Sequence, residues 1–285
     1  DIDTSSASFF SAGSGGAVNI TASDLTLQDH SLIRTLSGGG FFSTEGSGGA
    51  VTLRGANISL IDSGIDTQAV ESTGSAGPVT ITADQTAMIV GSSALGVPAI
   101  NTSILNNSED PTVAGHGGNI EITGTNVTLS DSTQLQSVGD GLGTFSQGGN
   151  ILIIGSKNVV LHNGTTLLTT TVSQAPAGNI ELLGQHVTIT QSSLFSNTLA
   201  AGASGAIKIT GSGDIALNAG SAISTDAGLG SDGSGGPIEI NTPHLTITGG
   251  SQIASATSGS GAGGNITITA GQSATLNNGS SISAS

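Results

Sequence analysis

The chain has 285 residues, 46 of them Gly, with 8% charged and 2% aromatic side chains and a formal net charge of -15 from four Lys and Arg against 19 Asp and Glu. That acidity excludes the clustered basic surface on which binding to DNA, RNA or anionic lipid depends. Cysteine is absent, which removes disulfides and thiolate metal sites; the longest apolar runs, such as Ile151 to Ile154, are too short for a transmembrane helix.

Taken in chain order, Asp1-Ile2-Asp3-Thr4 matches Gly64-Ile65-Asp66-Thr67 and reads as the end of one copy of a repeat. Phe9-Phe10 lies in a return loop, and Gly16 then opens a full copy. Val18/Ile20 alternate, a short polar break follows, Leu25/Leu27 alternate again, and Leu32 supplies a third apolar position. Alternation at period two predicts strands with one buried face. After Phe41-Phe42 the pattern restarts at Gly49, and again at Gly77, Gly118, Gly149, Gly178, Gly205, Gly236 and Gly264, with a mean step of 31 residues. Later third positions are Ile65, Leu135, Leu167, Leu194, Ile223, Ile253 and Ile282.

The third copy is the least regular. Its second pair aligns best as Ala87/Ile89, and residues 91–116, rich in Asn and Ser, are expected to form an exposed loop insertion. Residues 281–285 stop in the third strand of the ninth copy, so 1–285 reads as one solenoid domain cut from a longer repeat protein.

A single copy supplies only about six inward side chains and cannot bury them alone, so neighbouring copies must stack. The predicted fold is all-β: a right-handed parallel β-helix, or single-stranded β-solenoid, of about nine coils, roughly 40 Å long at a spacing of about 4.8 Å per coil. A column before the second strand holds Asp24, Asn57, Asn126, Asn158, His186, Asp214 and His244. These residue types tolerate the left-handed conformation and predict a tight corner. The Gly-Gly pair predicts another corner, through positive φ or a close backbone approach.

Segments such as Gly263-Gly264-Asn265-Ile266-Thr267-Ile268-Thr269-Ala270 and Gly249-Gly250-Ser251-Gln252-Ile253-Ala254-Ser255 resemble the β-helical repeats of filamentous-haemagglutinin-type exoproteins, the large bacterial passengers of two-partner secretion. The resemblance spans essentially the whole chain. It implies export through an outer-membrane β-barrel transporter and an adhesive or surface-structural duty. That family's amino-terminal secretion domain, with its short Asn-Pro-Asn-type motifs, has no match here.

β-Helical lyases and hydrolases need a base beside carboxylates, or paired acids across a groove. The four bases Arg34, Arg54, Lys157 and Lys208 fall in different columns, and Lys208 shares an outward column with Glu181 and Glu239 as an exposed ion-pair ladder. Asp62 with Asp66, and Glu109 with Asp110, are the tightest acidic clusters; turn chemistry explains the first, and the second sits in the exposed insertion, with a weak calcium site as its alternative. His186 and His244 share a column two copies apart, about 10 Å, too far for one ion. His30, His116 and His162 stand at other phases. No catalytic residue, cofactor or metal ligand is therefore assigned. The outward positions Thr26, Ser59, Thr128, Thr188, Thr246 and Thr275 fit strand propensity better than an ice-binding array.

Phe9, Phe10, Phe41 and Phe42 fall in equivalent loops of adjoining copies, where they read either as a small satellite core beneath the loops or as the candidate contact patch. The reading is a non-catalytic, extracellular shaft of a bacterial surface adhesin, facing a cell-surface or matrix component, carbohydrate included. The alternatives are a subunit of an extracellular filament, sheath or surface layer, self-associating end to end or laterally, and a carbohydrate-active enzyme.

Overall fold

The computed structural model describes residues 1–8, 13–39, 46–70, 74–91, 98–106, 115–141, 146–228 and 232–285. Among these residues there is no helix; the chain coils through two sheets whose strands all pair in parallel with the equivalent strand of the next coil. It is a parallel β-helix.

One sheet begins with Val18–Thr21 and Asp24–Leu27 and continues through Val51–Ile61, Val79–Val90, Ile120–Ser130, Ile151–His162, Ile180–Thr190, Ile207–Asn218, Ile238–Ile247 and Ile266–Leu276. These make nine rungs and eight steps. The other sheet carries the third strands, among them Leu32–Arg34, Gly64–Asp66, Gln134–Gly141, Ser193–Thr198 and Ser281–Ala284. Register is kept from rung to rung: Val51 pairs with Val79, Val79 with Ile120, Ile120 with Ile151 and Ile151 with Ile180.

The expected inward residues form the core. From Val51 to Leu217 both apolar pairs of each rung are essentially inaccessible, and they belong to one cluster that includes the third-strand residues Ile65, Leu135, Leu167, Leu194 and Ile223. Burying each such side chain contributes about 1.5–3 kcal/mol relative to exposure.

Several expectations are corrected. The first and second strands are not separated by a turn from the second rung onward. They form single strands of 10 to 12 residues, bent at a register shift, as between Gly155 and Asn158. An extra residue bends a strand without ending its ladder. The first third-strand core residue is Ile33, not Leu32: Ile33 pairs with Ile65 and is buried, whereas Leu32 faces Gly64.

Residues 91–116 are not wholly an exposed excursion. Ile100–Asn101 is the third strand of that coil, paired with Ile65–Asp66 on one side and Leu135–Gln136 on the other, with Ile100 fully buried. A coil that omitted this strand would leave Ile65 and Leu135 without a layer between them.

The left-handed corner is also elsewhere. No residue of the Asp24-to-His244 column has positive φ; that conformation falls at the following corner, at Asp62 (φ 48), Asp131 (φ 53), Asn163 (φ 53), Gln191 (φ 50) and Ala219 (φ 53). The bulge makes the first bend, and the tight turn into the third strand makes the left-handed one.

Candidate functional site

Three polar files follow the coil. At the bulge, the Asp/Asn/His column forms an outward ladder rather than a turn. Asn57 Nδ2 donates to Asp24 Oδ1 at 2.8 Å, and Asn158 Nδ2 donates to Asn126 Oδ1 at 2.7 Å. His186 Nδ1 meets Asp214 Oδ1, and His244 Nδ1 lies 2.9 Å from Ser273 Oγ. Asp214 separates the two histidines as the intervening rung.

At the Gly-Gly corner, close approach is the operative constraint. A Cβ on Gly49, Gly77, Gly118, Gly149, Gly178, Gly205, Gly236 or Gly264 would overlap the carbonyl oxygen of the corresponding glycine one rung earlier. Only glycine allows these backbones to nest.

Beside that glycine file runs a buried hydroxyl file that sequence reasoning missed: Thr35, Thr67, Thr102, Ser137, Thr169, Ser196, Thr225 and Ser255, all inaccessible. The threonines donate to the carbonyl of the glycine that opens the next copy, as Thr35 does to Gly49 at 2.6 Å and Thr225 to Gly236 at 2.6 Å. The serines reach back instead. Ser137 donates to the carbonyl of Gly118, the glycine that opens its own copy, at 2.9 Å while accepting from the N–H of Gly149, which opens the next, at 2.9 Å. Ser196 and Ser255 repeat this bridge. The available signal was a Ser or Thr two residues after the third-strand core residue, from Ile33 through Ile253.

The left-handed corner is closed by a hydroxyl that turns back on the chain. Thr133 Oγ1 donates to the Ser130 carbonyl at 2.6 Å, Ser221 Oγ to Asn218 at 2.7 Å and Ser251 Oγ to Thr248 at 2.8 Å. Outside it, Asn163 and Ser130 donate to the Asp131 carboxylate and hold its pKa below the ordinary value.

Of the candidate chemical groups, Asp62 occupies a corner, while Asp66 sits on the outer face of the third-strand sheet beside Arg34. Burial raises the Asp66 pKa against the opposing effects of the Gln68 backbone hydrogen bond and the Arg34 charge. Lys208 Nζ lies 3.7 Å from Glu181 Oε1, with both side chains well exposed, which places this pair at about 0–1 kcal/mol. No group of three metal-ligating side chains converges among the described residues. Arg54 lines an open groove of about 320 Å³ with Thr21, Ser23, Thr82 and Asp84. Phe9, Phe10, Phe41, Phe42, Glu109 and Asp110 lie outside the described residues.

The outer surface carries apolar side chains that the sequence reading did not single out. Leu152, Ile154 and Leu183 point away from the core on the long-strand sheet, where the register places Thr, Glu or Lys in most other rungs. Leu168 and Phe195 do so on the third-strand sheet, and the well-exposed Leu199 follows the end of Ser193–Thr198. This surface is repetitive and open, suited to contacts along a face.

No family model, curated protein or solved structure matches this chain.

Proposed function

We propose that this chain is a non-catalytic rigid shaft of a secreted bacterial surface adhesin of the filamentous-haemagglutinin type, exported through an outer-membrane β-barrel. The supporting observation is the parallel register, kept over nine rungs around one aliphatic core. Such a coil gains length by adding identical layers, each bonded only to its neighbours, so it provides reach without a globular body. Eight steps of about 4.8 Å give a rod of roughly 40 Å. Its low charge density and hydroxyl-rich faces suit exposure to solvent on all sides.

The shaft's partner in this reading is a cell-surface or matrix component met by side faces of the rod. Cells displaying the chain should gain attachment to matrix-coated surfaces, and the soluble chain should compete for it. Failure to increase attachment, or release of oligosaccharides from acidic polysaccharides by the purified chain, would overturn the reading.

A further inference from the structure

We propose that two copies of this chain pair side by side, antiparallel, through the outer face of the long-strand sheet. This inference uses the register and surface chemistry alone and does not depend on the adhesin reading.

In the first outward column of that face, successive rungs present Glu121, Leu152, Glu181, Lys208 and Glu239. Two residues farther along the strand, Ile154 and Leu183 are neighbours. All three aliphatic side chains are partly exposed while Ile151, Ile153, Ile180 and Leu182 fill the interior behind them. Before the bulge, where the outward positions of the other rungs are polar, exposed aliphatics concentrated on two adjoining rungs mark a contact surface.

The charges around them identify the occupant. Consider a two-fold axis lying in the contact plane, along the strands, between the Ile151 and Ile180 rungs. It keeps each column opposite itself and reverses the order of the rungs. Ile154 then meets Leu183 of the second copy, Leu152 lies over Glu181 of the second copy, and Glu121 meets Lys208 of the second copy, each contact occurring twice as two-fold symmetry requires. Moving the axis onto the Leu152 rung would instead oppose Glu121 and Glu181. The Glu121–Lys208 pairs outside the Ile154–Leu183 contacts favour the first register over the second, and the register one step on, which pairs Glu181 with Lys208, loses the Ile154–Leu183 contacts. Thus a surface that repels most acidic partners complements itself at this offset.

Sedimentation of the wild-type chain over a wide concentration range should show a reversible monomer–dimer equilibrium. Ile154→Glu, Glu121→Lys and Lys208→Glu should each weaken it about tenfold or more, a change of about 1.4 kcal/mol. Circular dichroism and thermal melting identify variants that remain folded. The decisive arm mixes Glu121→Lys with Lys208→Glu: each alone opposes like charges, but the mixture restores both attractive contacts and should form a heterodimer. A wild-type chain that stays monomeric throughout, or folded charge variants that do not recombine, would overturn the proposal. A dimer lost on Phe195→Ser but retained by Ile154→Glu would place the contact on the third-strand sheet and equally reject it.

Discussion

Ser137 and Thr169 occupy the same buried file but carry different hydrogen-bond loads. Ser137 is the acceptor for Gly149 N–H and a donor to Gly118, whereas Thr169 donates to the Gly178 carbonyl, which Ser196 also serves. Ser137→Ala leaves a buried N–H without its acceptor and should destabilise by about 1–3 kcal/mol; Thr169→Val leaves Gly178 served and should cost only about 0.5–1.5 kcal/mol. Urea unfolding of the two variants checks the order. Asp66 gives a pH-dependent contrast. Because burial raises its pKa, the folded state binds a proton more tightly than the unfolded chain. The contribution to stability is therefore most favourable at low pH and declines as pH rises through the window above the ordinary aspartate pKa, about 3.9. Asp66→Asn should match the wild type at acid pH and gain on it as pH rises, measured as a shift in urea midpoint. None of this was legible from single residues: Ser and Thr are so frequent that the hydroxyl file is visible only once the third-strand register is known.

The elements differ in how openly the sequence declared them. Period-two pairs such as Ile151/Ile153 and Val159/Leu161 identify their own buried face, so the two halves of each long strand and their alignment could be read directly, though not their continuity across the bulge. The corners could not. Asn and Asp occur both in the outward ladder at the bulge and at the left-handed turn, so residue type alone did not distinguish them. Adjacent apolar residues at Leu32-Ile33 left the inward choice ambiguous, and the isolated Ile100 had no alternating partner to reveal its strand. The candidate aromatic residues Phe9, Phe10, Phe41 and Phe42 lie outside the described residues, while the outward aliphatics are recognisable only after inward and outward positions are assigned. Two glycine corners offer a test. Gly178→Ala forces a Cβ into the Gly149 carbonyl and should cost more than about 3 kcal/mol, in the range of severe backbone disruption. Gly220→Ala has φ +78 but open space around the new methyl, and should cost only about 1–2 kcal/mol. Chemical denaturation of both variants separates nesting from turn strain.

For the molecule as a whole, stability is distributed among rung-to-rung interfaces, so the meaningful unit of change is one coil. Deleting residues 178–204 removes one complete repeat and joins equivalent corners. The product should retain its strand-rich circular dichroism and shorten by about 4.8 Å in small-angle scattering. Deleting only 180–190 removes the long strand from one coil and should disrupt folding. The central claim, in-register parallel stacking along one axis, is tested most directly by electron–electron distance measurements. Spin labels would be placed pairwise on the cysteine-free chain at Thr26 with Thr188, Thr246 or Thr275, positions that share one outward column. The predicted separations are about 24, 34 and 38 Å, rising by about 4.8 Å for each rung. Distances that fail to increase along this series would contradict the stacked coil.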